Sequence, residues 1–273
     1  MASQKNKNLI LKKKFLDLAF EKAKINLGKT KLNPSVGCVV VKDDSVISSG
    51  CTSVGGRPHA EYNALHFKKN FKNSDLYVTM EPCTHYGLTP PCTNIIKKKG
   101  IKRVFYSFND TDRRTANTSK KVLNKKKIQV QRVLTNNFKD FYQSYYAIKK
   151  NTIPLIDAKI AISKDFYTIK KGSKWITNYL SRSRVHLIRS EYDCILSTSK
   201  SINKDNSLLN CRLNGFNINK PDLLIIDLKL KIKKNLSLFK NSRKRKIFIV
   251  TYKKPSSLSE FFIELKFPES LPS

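Results

Sequence analysis

Apolar residues along this chain alternate between two spacings. Over residues 12–27, Phe15, Leu18, Ala19 and Ala23 fall on one helical stripe, and Gly28 follows as a helix stop. Asn33-Pro34-Ser35 is a turn, and Val36-Gly37-Cys38-Val39-Val40-Val41 is a β-branched run without a polar face, the pattern of a buried strand. Residues 42–45 turn the chain into a hairpin partner at 46–49. The alternation continues with a helix over 60–69, a strand over 76–80 and a helix over 93–99 stopped by Gly100. A strand over 101–106, a helix over 119–127, a strand over 128–134 and a helix over 137–149 follow. Strands alternating with helices predict an α/β sheet with helices on both faces.

Residues 150–154, Lys-Asn-Thr-Ile-Pro, read as a linker. A second α/β pattern then begins with a β run over 155–162. Trp175-Ile176-Thr177 opens a helix reaching about residue 189, a strand covers 193–196, and buried strands cover 223–227 and 247–251. The expected organisation is one domain over residues 1–149 and a second over 155–273. A chain of 273 residues gives each enough length to bury a core.

Two strings stand apart from this packing pattern. His59-Ala60-Glu61 opens the second helix, and Glu81-Pro82-Cys83-Thr84-His85-Tyr86-Gly87-Leu88-Thr89-Pro90-Pro91-Cys92 follows the strand over 76–80. Taken singly, a histidine at a helix start is an ordinary polar residue, and a cysteine in a reduced compartment is a small core residue. Together they supply one imidazole, two thiols and a spare carboxylate. A catalytic zinc takes three protein ligands and keeps a fourth position open, and His59, Cys83 and Cys92 make three. Glu61 is then free to move protons. A His-x-Glu string with a later Pro-Cys string is the pattern of zinc deaminases that act on cytosine-like and adenine-like rings.

The formal charge is +34, from 54 Lys and Arg against 20 Asp and Glu. That surplus suits a nucleic-acid or membrane-surface binder. The lysines, however, occur in every expected element and are not interleaved with aromatics on one face. This points to compositional drift, with an anionic, phosphate-bearing small molecule as a minor beneficiary. No apolar run approaches the ~20 residues of a membrane helix, and the start lacks a secretory apolar region. The six cysteines have no disulfide-scaffold spacing, which makes a cytoplasmic location the default expectation.

The motifs resemble the bifunctional riboflavin-biosynthesis deaminase/reductase family. The matching residues are Asn33-Pro34-x-Val36-Gly37-Cys38-Val39-x-Val41, His59-Ala60-Glu61, the Glu81 to Cys92 string with its Thr-Pro-Pro-Cys ending, and Trp175-Ile176-Thr177. The resemblance implies a cytidine-deaminase-like three-layer α/β/α domain that hydrolytically deaminates a phosphoribosylated diaminopyrimidinone. It implies a dihydrofolate-reductase-like α/β domain after it, using NADPH to reduce the ribose to ribitol. By matching position it makes His59, Cys83 and Cys92 the zinc ligands and Glu61 the proton shuttle, with Asn33, His85 and Asp110 contacting substrate. In the second domain it assigns Ser173, Arg189, Leu209 and Arg212 to substrate, and Trp175, Thr177, Ser201 and Asp205 to the nicotinamide cofactor. A homo-oligomer is also implied.

Several positions depart from that family. Leu88 stands where a lysine or arginine is usual, Asp110-Thr111-Asp112 replaces Asp-Pro-Asn, and Asn117 and Ser119 replace glycines. In the second half Ser163-Lys164-Asp165-Phe166 replaces Ser-Leu-Asp-Gly, Ser197-Thr198-Ser199 has no glycine, and the sequence stops at Ser273 ahead of the family's late glycine-rich loop. The expectation is a working deaminase half joined to a truncated, impaired reductase half. Competing readings are a nucleoside or tRNA deaminase, and a non-catalytic zinc-stabilised partner of a separate reductase.

Overall fold

The computed structural model describes residues 2–150, 153–168, 172, 175–216, 221–240 and 245–252. Two compact units divide the chain, Met1–Ala158 and Lys159–Ser273.

The first unit begins with α1 (Ala2–Lys24), which starts ten residues ahead of the expected stripe. β1 (Gly37–Lys42) and β2 (Ser45–Cys51) form a hairpin. Both residues of its turn, Asp43 and Asp44, have positive φ (48° and 56°), the backbone a two-residue hairpin of this hand requires. α2 (Ala60–Leu65), β3 (Asp75–Met80), α3 (Cys92–Lys98), β4 (Arg103–Phe108), α4 (Ser119–Asn124), β5 (Gln129–Arg132) and α5 (Gln143–Lys149) follow. The sheet order is β2-β1-β3-β4-β5. β1 runs antiparallel to both neighbours, and β3, β4 and β5 run parallel.

The unbroken apolar runs have the meaning expected of strands covered on both faces. Cys38, Val40, Leu76, Val78, Val104 and Tyr106 point into one core with Ala60, Ala64, Leu65, Ile96 and Leu123 from α2, α3 and α4. Their alternates Val39, Val41, Tyr77 and Phe105 point the other way, against Leu16 and Ala19 of α1. The expected three layers are therefore present, and two glycines set how closely they stack. A Cβ on Gly37 would lie 1.8 Å from the Ala19 carbonyl oxygen, and one on Gly50 would lie 2.6 Å from the Ala64 nitrogen. Backbone meets backbone there, so α2 sits directly on β2.

Two helices are shorter than their stripes predicted. α2 ends at Leu65 instead of residue 69, and the chain beyond it turns to bury Phe71 at 1% exposure. α5 starts at Gln143 instead of 137. Ahead of it Phe138 stacks on Phe20 with ring centroids 4.6 Å apart, and the Tyr142 hydroxyl bonds the Thr79 hydroxyl and the Ser35 carbonyl inside the core.

The second unit holds α6 (Tyr179–Ser190), β6 (Cys194–Thr198), α7 (Ser199–Asp205), β7 (Asp222–Ile226), α8 (Ser237–Lys240) and β8 (Ile247–Val250). β6-β7-β8 form a parallel sheet over a core of Ile202, Leu223, Ile225, Leu236, Leu238, Ile247 and Ile249. The helix expected from Trp175 starts at Tyr179, because the Asn178 side chain accepts the Ser181 amide and caps it. The β run expected over 155–162 joins no sheet among the described residues. It has the side-chain period of a strand without a partner edge, and Ile156 and Ile160 stand 75% and 69% exposed. No described helix is long and apolar enough to cross a membrane.

Candidate metal centre

Three backbone segments end close together beside β3. His59 is the residue that caps the start of α2, in extended conformation at φ −72° and ψ 161°. Cys83 lies three residues beyond the end of β3, and Cys92 is the first residue of α3. The docking of Gly50 against Ala60 and Ala64 fixes the height of α2, and hence of His59, above the sheet.

The three side chains converge. His59 Nδ1 lies 3.6 Å from Cys83 Sγ and 3.4 Å from Cys92 Sγ, and the three candidate ligand atoms all fall within 4.8 Å of one another. Tetrahedral zinc with ordinary Zn–S and Zn–N bonds separates its ligand atoms by about 3.5–3.8 Å. Both the spacing and the donor set, two sulfurs and an imidazole, fit that ion.

Proton affinities in the cluster are unequal. The Cys92 thiol and its amide (3.2 Å) both point at Cys83 Sγ, and those bonds lower the Cys83 thiol to about 4. Cys92, buried and beside that thiolate, is pushed up instead. His59 is raised, first by its bond to Cys83. Glu61 is 4% exposed, and burial followed by the Cys83 charge raises its carboxyl to about 7. The charges of Cys83 and His59 both act on it, which puts a buried carboxyl group beside the ligand triangle.

The loop beyond β4 packs against the Glu81–His85 segment. Glu81 is buried and accepts the amides of Asn117 (3.0 Å) and Ser119 (3.1 Å). Asn117 has φ 60°, a left-handed backbone that asparagine tolerates better than most residues. Thr115, fully buried, bonds His85 Nδ1 at 2.9 Å. Asp110 accepts the Tyr145 hydroxyl (3.2 Å) and the Asp112 amide (2.9 Å), and burial raises its carboxyl. Asn33 donates to the Gly56 carbonyl at 3.3 Å, beside Arg57. Arg57 Nη1 lies 3.3 Å from His59 Nε2 and donates to the Thr89 hydroxyl at 2.8 Å. Sequence reasoning gave no role to Arg57, Glu81 or Thr115. Arg57 borders the first motif and Glu81 opens the second, whereas Thr115 is joined to His85 only by the fold.

In the second unit Arg189, Leu209 and Arg212 gather around Asn210. Arg189 reaches its carbonyl and Arg212 its side-chain oxygen, each at 3.3 Å, and His186 bonds the same carbonyl at 3.0 Å. Leu209 has φ 47°, and its carbonyl accepts from Arg245 at 2.9 Å. Trp175 lies under the Arg182 guanidinium at 4.6 Å, and the Thr177 carbonyl accepts from the same arginine. Ser201 sits in the first turn of α7, where its amide donates to Thr198 Oγ1 at 3.3 Å, and Asp205 ends that helix. Ser173 lies outside the described residues.

Comparison with known proteins agrees with both units. The profile of the cytidine and deoxycytidylate deaminase zinc-binding region matches residues 10–108, and that of the RibD C-terminal domain matches residues 154–266. The riboflavin biosynthesis protein RibD of Bacillus amyloliquefaciens is 34% identical over 222 residues, covering 80% of this chain and 60% of the relative. That of Actinobacillus pleuropneumoniae is 32% identical over 244 residues, covering 87% and 64%. The chain thus spans less than two thirds of the length of these curated relatives. A Thermotoga maritima structure described as a diaminohydroxyphosphoribosylaminopyrimidine deaminase/5-amino-6-(5-phosphoribosylamino)uracil reductase superposes with TM-score 0.80 at 30% identity. It is covered over 71% of its length and covers 90% of this chain. Acinetobacter baumannii RibD gives TM-score 0.79 at 27% identity, with 94% of this chain and 75% of that one covered. With both characteristic domains in order and the fold shared along nearly its whole length, this chain belongs to the RibD family of riboflavin-biosynthesis proteins.

Proposed function

We propose that the first unit is a zinc-dependent hydrolase that deaminates a phosphoribosylated diaminopyrimidinone in riboflavin biosynthesis. The observation that carries this reading is the triangle of His59, Cys83 and Cys92, with Glu61 buried one helical residue beyond Ala60 in the same segment as His59. Zinc held there lowers the pKa of a bound water towards ~7, which supplies hydroxide at neutral pH. His59 and the two cysteines would hold the ion. Glu61 takes a proton from the attacking water through a carboxylate oxygen. The water oxygen forms a bond to the ring carbon bearing the amine, Glu61 returns the proton to the amine nitrogen, and the carbon–nitrogen bond breaks to release ammonia. Asn33, His85 and Asp110 hold the substrate in this reading.

The second unit, by the same reading, is the NADPH-dependent half that reduces the ribose to ribitol. Arg189 and Arg212 hold the phosphorylated substrate, and Trp175, Thr177, Ser201 and Asp205 face the cofactor. Its grip on NADPH is weak, because Phe166 and Ser197-Thr198-Ser199 put side chains where relatives carry glycine. The reading places the protein in the cytoplasm, a compartment suited to six free thiols.

Metal analysis combined with ammonia release from the diaminopyrimidinone ribotide tests the first half. One zinc per chain and ammonia release inhibited by a chelator are expected, and a zinc-replete protein that releases none removes the assignment. NADPH titration tests the second half, where sub-micromolar affinity would contradict the weak grip.

A further inference from the structure

We propose that Arg57 and His85 form the pocket for the ribotide phosphate, with Arg57 supplying the positive charge that Leu88 lacks. The proposal rests on the deaminase reading and names how this chain holds the anionic end of that substrate.

Leu88 is 89% exposed and brings no charge to this stretch of the loop. The neighbouring Gly87 lies between two donors. A carbon on Gly87 would stand 3.7 Å from Arg57 Nη2 and 3.9 Å from His85 Nε2, so both nitrogens face the space over this glycine. Arg57 arrives there from the strand-like segment just ahead of His59, half-buried, and anchored by one nitrogen to the Thr89 hydroxyl. His85 is held from behind, where Thr115 bonds its Nδ1 and leaves Nε2 directed outward.

The charges around this space favour an anion. Among the described residues Arg57 has no carboxylate partner, and its neighbours are the Thr89 hydroxyl and the His59 ring. Asp112 is the carboxylate whose charge reaches His85, and Arg114 engages it through both oxygens. A guanidinium without a counter-ion beside an outward imidazole nitrogen matches a phosphate monoester, which accepts several charge-assisted hydrogen bonds at once. Thr115 is a positioning residue for this pocket. Gly87 keeps the space clear because any side chain there would enter it.

The test compares the ribotide with its dephosphorylated riboside, using zinc-loaded full-length chain. For R57M, the ratio of kcat/KM on ribotide to that on riboside is expected to fall at least about tenfold through KM, with zinc content unchanged. R57K is expected to recover part of the loss, and R57M/L88K most of it. Equal losses on both substrates, or no loss, overturn the proposal. If the unsubstituted protein releases ammonia from neither compound, the deaminase reading fails instead. The pocket is then read alone by phenylglyoxal labelling with mass-spectrometric mapping. Protection of Arg57 by ribose 5-phosphate supports it, and unprotected labelling overturns it.

Discussion

The backbone amide of Cys92 points at the sulfur of Cys83 across 3.2 Å. The first peptide of α3 thereby stabilises negative charge on the partner sulfur, and one candidate ligand helps to charge the other. Cys83→Ala removes both the soft donor and the acceptor of that bond. Zinc affinity is expected to fall by more than the ~10–100-fold typical of losing an outer partner. Competition with a chromophoric chelator measures it, and retention of tight zinc would take Cys83 out of the ligand set.

Glu61→Gln keeps the shape and burial of the side chain but cannot take up the proton. Zinc should be retained in full, and ammonia release should fall by about 10²–10⁴. Full turnover with bound zinc would assign the proton transfer elsewhere.

Gly50 carries the height of α2. A Cβ there meets the Ala64 nitrogen at 2.6 Å and the Ala60 carbonyl oxygen at 2.7 Å, both backbone atoms that cannot rotate away. Gly50→Ala should cost about 1–3 kcal/mol of stability and weaken zinc binding, because His59 moves with its helix. Gly37→Ala, which clashes with α1 on the opposite face, should cost stability without the same loss of zinc. Chemical denaturation beside metal titration separates the two.

Asp110 gives a pH signature. Burial raises its carboxyl above the ordinary value, so between the unfolded and folded pKa the native state binds more protons than the unfolded state. Stability from this group therefore declines as pH rises through that window, which opens near ~3.9. Asp110→Asn removes the penalty while retaining an acceptor for Tyr145. The variant should gain thermal stability relative to the parent at pH 7 and lose that advantage near pH 4. An unchanged difference between the two pH values would show that burial of charge is not the cause.

Phe166 holds φ 65° at the corner of a turn in which its amide donates to Ser163, while its ring is 80% exposed. A bulky residue in that left-handed region is strained, and little apolar burial compensates. Phe166→Gly should stabilise the second unit by about 1 kcal/mol after allowing for the extra unfolded freedom of glycine. Denaturation followed by Trp175 fluorescence reads that unit, and a destabilised variant would contradict the account.

The sequence was most legible where local pattern and tertiary burial agree. Val36–Val41 and the run over 76–80 became strands covered on both faces, whereas the run over 223–227 became β7, buried on the face of Leu223 and Ile225 and half-buried on that of Leu224 and Ile226. The candidate ligand set was legible because proline-flanked cysteines and a His-x-Glu string restrict the chemistry on their own. Less legible were features decided by distant partners. Helix α2 stops early so that Phe71 can be buried, and the 137–149 stripe loses its first turn and a half to the aromatic cluster around Phe20. The run over 155–162 was expected as β and forms no strand among the described residues, because period says nothing of whether a neighbouring edge exists. Thr115 was invisible because its link to His85 spans thirty residues and an intervening strand.

The hydroxyl of Tyr142 joins the Thr79 side chain at 2.6 Å and the Ser35 carbonyl at 3.0 Å, in the middle of the sheet. That one phenol acts as a keystone, which dictates where the protein can be dissected. An expression fragment ending ahead of it would leave the Thr79 hydroxyl and the Ser35 carbonyl stranded and hollow out the rings around Phe20 and Phe108. A fragment ending after residue 150 keeps the keystone and is the one to carry into spectroscopy and crystallisation of the zinc half.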